Sequence, residues 1–121
     1  MYEERDKKRF VAFTEALLSA GKRNPEVRNA TTNLCGAIVR VTVSPSHRFD
    51  DAKSDLTNSA YALDAAISGL NANTQSSVRR IAPLFLSELR CAHEPRLRNV
   101  CGGVVSRAAS IWATARRTAK A

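Results

Sequence analysis

Three times in this chain a proline stands at the head of an apolar 3–4 repeat. Asn24-Pro25 precedes "EVRNATTNLCGAIV", Ser44-Pro45 precedes "SHRFDDAKSDL", and Glu94-Pro95 precedes "RLRNVCGGVV". Proline is favoured at the first helical position, where its missing N–H costs nothing and its φ is already set. Asn24 and Ser44 add side-chain oxygens that can accept the orphan N–H groups of a first turn. A chain punctuated in this way has helices to form and little room for a sheet.

The apolar spacing agrees. Segment one, about 4–20, lines up Phe10, Phe13, Leu17 and Ala20 and ends at Gly21, a residue suited to a helix C-terminus. Segment two, about 25–43, carries Val27, Ala30, Leu34, Ile38 and Val41, and segment three, about 46–70, carries Phe49, Ala52, Leu56, Leu63 and Ile67. Segment four, about 75–92, has Val78, Ile81, Phe85 and Leu89; segment five, about 95–119, has Leu97, Cys101, Val104, Ala108 and Ile111. Short connections between helices of similar length make neighbours antiparallel. The expected fold is all-α: a single-domain antiparallel up-and-down helical bundle of four long helices plus an N-terminal helix, spanning 1–121. Residues 24–121 form the bundle core, and 1–23 either pack on it or serve as an arm. Two places strain this reading. "IVRVTV" (38–43) alternates like a strand, yet no second strand exists to pair with it, so it is read as helix. Pro83 falls inside segment four, where it removes a hydrogen bond and bends a helix. The helical projection sets it opposite the apolar stripe, where a bend is tolerated.

At 121 residues the chain can bury a core without disulfides or metals. Its formal charge of +8 is unevenly placed. Residues 1–64 hold ten Lys/Arg against nine Asp/Glu, a net of +1, whereas 65–121 hold nine against two, a net of +7. Such asymmetry points to an acidic partner: nucleic acid first, then an anionic membrane surface or an acidic protein. The plain alternative is a surface that is basic for solubility alone. "MYEERDKKRF" mixes charges and lacks the apolar stretch of a signal peptide, and no apolar run approaches the roughly 18 residues of a membrane span. With Cys35, Cys91 and Cys101 read as reduced thiols, the expected location is cytoplasmic, intracellular or virion-associated rather than secreted.

Residues 96–121 contain no acidic side chain and carry Gly102-Gly103 in mid-helix. Projected at roughly 100° per residue, Arg98, Arg116 and Lys120 border one edge of the apolar arc and Arg96 and Arg107 the other. Arg117 and both glycines fall on the outer side. Glycine inside a helix costs about 1 kcal/mol relative to alanine, and it leaves a bare backbone that a phosphate or another backbone can approach. The alternatives are a kink between two shorter helices, or packing against the N-terminal helix. Segment four adds Arg79 and Arg90 along the edge shared with Pro83, with Arg80 farther round. If segments four and five are antiparallel neighbours, Arg79, Arg90, Arg98 and Arg116 share one seam. The guanidinium fork matches phosphate oxygens. Tyr61 and Trp112 are the aromatics available to stack on a base, though each such residue is more often one of the core edge.

No catalytic constellation, metal site or cofactor is expected. Cys91, His93 and Glu94, with Cys101 following, do not have zinc spacing. There is no Glu-x-x-His pair for a di-iron site and no G-x-S-x-G. His47 and Asp51 are four residues apart, but Asp50 and Asp51 also simply complement a helix N-terminus. Arg40 and His47 are spaced like the Arg-x6-His pair of the HEPN ribonucleases, which are helical bundles too; the resemblance spans eight residues, is interrupted by Pro45, and implies a nuclease. "RFDDA" (Arg48–Ala52) resembles the start of the RNA-contacting helix in tobamovirus-type rod coat proteins, four-helix bundles that coat single-stranded RNA. That resemblance implies phosphate contact by Arg48 and RNA contact by Asp50 and Asp51. It covers five residues, and some fifty follow the helix here where that family nearly ends.

The function expected is a non-enzymatic nucleic-acid-binding bundle for RNA or DNA, with a coat- or nucleoprotein-like role. Its phosphate contacts come from Arg79, Arg80, Arg90, Arg96, Arg98, Arg107, Arg116, Arg117 and Lys120. The alternative is a structural or protein-interaction module that forms a homo-oligomer or docks an acidic partner. A small hydrolase using His47 or His93 ranks last.

Overall fold

The computed structural model describes residues 2–120, with side chains described from 4 to 117. Regular structure among them is entirely helical: α1 (Tyr2–Gly21), α2 (Pro25–Val43), a 3-10 turn (Ser46–Arg48), α3 (Phe49–Ser68), α4 (Ala72–Arg80), α5 (Leu84–Ser87) and α6 (Glu94–Lys120).

The proline signals resolve in different ways. Asn24 caps α2 as expected, its side-chain oxygen accepting from the Glu26 and Val27 N–H groups at 3.1 and 3.2 Å. Ser44 does not open a helix. It closes α2, donating its N–H to the Arg40 carbonyl at 2.9 Å, and α3 starts only after the intervening 3-10 turn. Gly21 ends α1 without a positive φ. Its use is close approach: a Cβ there would lie 3.1–3.2 Å from Cβ and Cα of Arg28, so a side chain at this α1–α2 corner would push the two helices apart slightly.

Helix α2 is the hub, packing against α1, α3 and α6. With neighbours on several sides it buries Leu34, Cys35, Gly36, Ala37 and Ile38 in succession, and Val41 a turn later. A helix that is apolar nearly all round is a surrounded helix, and this is why 38–43 could imitate a strand. Side-chain contacts set the directions. Arg98 donates to the Val41 carbonyl and Gly36 faces Trp112, so α6 runs antiparallel to α2. Arg40 pairs with Asp55 across the α2–α3 hairpin. Lys7 lies beside Gly103 and Glu15 beside Arg107, so α1 and α6 run the same way. Phe10, Phe13 and Leu17 of α1 are buried in the common core, each worth about 1.5–3 kcal/mol of transfer free energy. Helix α1 is thus part of the core and not a detached arm.

The fourth long helix is not there. Residues 75–92 divide into α4, the four-residue α5 and irregular turns. Pro83 accounts for the break between α4 and α5, since it cannot donate an N–H and disfavours helical geometry in the residue before it. It also lies on the buried side, not opposite the apolar stripe. The groups orphaned by the break are satisfied by α1. Arg9 donates from Nε to the Ala82 carbonyl (3.1 Å) and from its terminal nitrogen to the Arg80 carbonyl (2.8 Å). Asp6, only 2 % exposed, accepts the N–H of Leu84 and, at 3.1 Å, that of Phe85. Two side chains three residues apart on α1 therefore bridge the broken segment.

Candidate functional site

Helix α6 runs unbroken through Gly102-Gly103. Gly102 faces open space, whereas a Cβ on Gly103 would collide with the end of the Lys7 side chain. The pair marks no helix boundary, and one of its members lies against α1.

The nine candidate cations meet different fates. Arg79 pairs with Asp64 and donates to the Ser68 hydroxyl at 2.8 Å. Arg96 pairs with Glu88 at 2.9 Å. Arg107 reaches toward Glu15 at 3.7 Å. Arg98 is the most engaged: it bonds Glu94 at 3.0 Å, donates to the Val41 carbonyl at 3.1 Å, and lies 5.3 Å over the Phe49 ring. With its side chain 25 % exposed, it satisfies a carbonyl in the last turn of α2 and fastens the start of α6 to the first residue of α3. Arg80, Arg90, Arg116 and Arg117 have no carboxylate partner among the described residues. Two of them lie over aromatic rings, Arg90 5.5 Å from the Tyr61 centroid and Arg116 4.9 Å from that of Trp112. The side chain of Lys120 is outside the described residues.

These arginines do not form one seam. Helix α4 packs mainly on α3 and α1, and α6 mainly on α2 and α1. Arg79 is held at Asp64, while Arg98 stacks on Phe49, fifteen residues earlier on α3, which is roughly 22 Å along a helix axis. Of the expected four, Arg79 and Arg90 come together around a pocket. Arg116 stands apart with Trp112, whose indole packs against the bare backbone of Gly36.

That pocket was not legible in the sequence. It lies between α3 and the broken α4–α5 segment and measures about 310 Å³. Phe13, Leu63, Ile67, Leu89 and the Pro83 ring supply its apolar wall, and Tyr61, Asp64, Arg79 and Arg90 its polar mouth. An unbroken fourth helix would have laid a continuous ridge into the α3 groove.

The other motifs are exposed and dispersed. His47 sits in the 3-10 turn and Arg40 is committed to Asp55. Arg48, Asp50 and Asp51 are exposed where α3 begins. Cys91 is exposed; Cys35 and Cys101 are buried, and burial pushes each of those thiols up to about 12. Among the described residues, no group of three His, Cys, Asp or Glu is placed to hold a metal ion, and no helix is long and apolar enough to cross a membrane. No family model, curated protein or solved structure matches the chain.

Proposed function

We propose that the protein is a non-enzymatic nucleic-acid-binding helical bundle that holds phosphates through guanidinium groups, in a coat- or nucleoprotein-like role. The observation that carries this reading is the set of arginines without a carboxylate partner among the described residues, Arg80, Arg90, Arg116 and Arg117, in the half of the chain with a net charge of +7. An arginine already paired must give up a partner before it takes a phosphate, so among the nine candidate cations these four are the readiest to take one. Arg90 on Tyr61 and Arg116 on Trp112 each join a cation to a flat apolar face. Backbone contact and base stacking on such ledges are tolerant of sequence.

The test is fluorescence anisotropy with a labelled single-stranded RNA and a duplex DNA over a range of salt. Affinity is expected to fall steeply as salt rises. The double variant Arg116→Glu/Arg117→Glu should bind at least about tenfold more weakly, with a salt slope shallower by about 2 and an unchanged circular dichroism spectrum. Equal affinity in that variant, together with a flat salt dependence, overturns the reading. A defined oligomer free of nucleic acid would then favour a self-associating module.

A further inference from the structure

We infer that the pocket between α3 and the α4–α5 segment is a binding site for a single-chain amphiphile with a carboxylate head and an acyl tail of about eight carbons. Its size sets the tail. At about 310 Å³ it stands at the lower end of the roughly 300–1,000 Å³ range of small-molecule pockets, which suits a short single chain such as octanoate. Its wall sets the character of that tail, since Phe13, Leu63, Ile67 and Leu89 are apolar and belong to the buried core.

The mouth sets the head. Three charged side chains line the pocket, Arg79, Asp64 and Arg90, and their formal charges sum to +1. Arg79 and Asp64 neutralise each other. The Thr57 and Ser87 hydroxyls already donate to the Lys53 and Leu84 carbonyls. Arg90 has no carboxylate of its own among the described residues, and the Tyr61 ring lies beneath it. A ligand carboxylate meeting Arg90 supplies the missing counter-charge through a charge-assisted hydrogen bond, while the tail displaces water from the apolar wall. The pocket exists because Pro83 breaks the fourth helix, and the bridge from Asp6 and Arg9 holds that break open in one geometry.

The experiment is calorimetric titration of the full-length protein with octanoate, butyrate and octanol. Octanoate should bind saturably at one site, and butyrate and octanol at least about tenfold more weakly. Arg90→Gln should bring octanoate down to the level of octanol without weakening octanol itself. Ala60→Leu, which places a larger side chain on the pocket wall, should reduce both. Absence of saturable octanoate binding to the unaltered protein overturns the inference. So does equal affinity for octanoate and octanol, or octanoate binding that survives in both variants. A polyanion would also use Arg90, but Arg116→Glu/Arg117→Glu leaves the pocket untouched, so the two readings fail separately.

Discussion

Asp6 is the residue whose removal tests the architecture most directly. Its carboxylate accepts two N–H groups from the far side of the Pro83 break, those of Leu84 and Phe85, and the Phe85 bond is fully buried. A hydrogen bond to a charged group contributes about 1.5–3 kcal/mol, and a buried donor left without a partner bears its full desolvation cost. The Leu84 bond is only part-buried, so water can replace it. Asp6→Ala should therefore cost about 3 kcal/mol, most of it from the Phe85 N–H. For a chain of 121 residues that is a fall in Tm of roughly 10 °C. Asp6→Asn keeps one acceptor but turns an amide N–H toward the second donor, and should cost about 2 kcal/mol.

Urea unfolding followed by circular dichroism measures these losses, with Lys8→Ala as an exposed control expected within about 0.5 kcal/mol of the parent. Arg9 holds the other side of the same break. Once one side is released the other has less to hold, so Asp6→Ala/Arg9→Ala should lose less than the sum of the single variants. If Asp6→Ala unfolds within about 0.5 kcal/mol of the parent, the scale of an inert surface change, or if the pair is strictly additive, the bridge is not what stabilises the segment.

Two further outcomes follow from glycines and thiols. Gly102→Ala should stabilise by about 1 kcal/mol, because nothing lies within 4 Å of the added methyl; Gly36→Ala should gain less than that, because its methyl would sit 3.1 Å from the Trp112 Nε1 and the indole must give way. A drop in the thermal midpoint of Gly102→Ala would mean that the outer face of α6 is covered. Native protein should expose one thiol to Ellman's reagent, Cys91, and all three only when unfolded. Cys35 and Cys101 rise from an ordinary 9.0 to about 12 on burial, so their contribution is complete below pH 9 and is lost as pH climbs toward 12. The loss is about 1.4 kcal/mol per pH unit for each thiol, as the unfolded chain ionises first. Comparing the alkaline limb of the stability curve with that of Cys35→Ala/Cys101→Ala isolates this slope, and identical limbs would refute it.

Local chemistry was legible where it acts locally. Asn24-Pro25 marked the start of α2 because a cap and its N–H groups are neighbours in sequence, and the 3–4 repeats of α1, α3 and α6 named core residues that are buried. The fourth segment misled because its repeat continues through Pro83 as though no break occurred: Val78, Phe85 and Leu89 are all buried, yet they reach the core from α4, from α5 and from a turn. Pro83 announced a fault in the helix. What the sequence withheld was the remedy, since Asp6 lies 78 residues from the Leu84 N–H it accepts, and nothing near either residue pairs them. The pocket was hidden for the same reason, being the space that a missing ridge leaves.

Charge shows the same division between composition and contact. Counting residues gives nine cations in 65–121 but cannot say which of them are spent. Asp64 and Glu15 lie in the first half of the chain, yet they take Arg79 and Arg107. Arg98 borders the apolar arc in projection, and that position turns it into a fastening between α2, α3 and α6. Exposed ion pairs of this kind contribute little to stability, about 0–1 kcal/mol, yet each one lowers the local field that a phosphate would feel. A polyanion approaching the molecule would therefore meet separate footholds in place of one uniformly basic wall. One is Arg116 and Arg117 near Trp112, and another is Arg90 at the mouth of the α3 pocket. The second has an apolar cavity behind it.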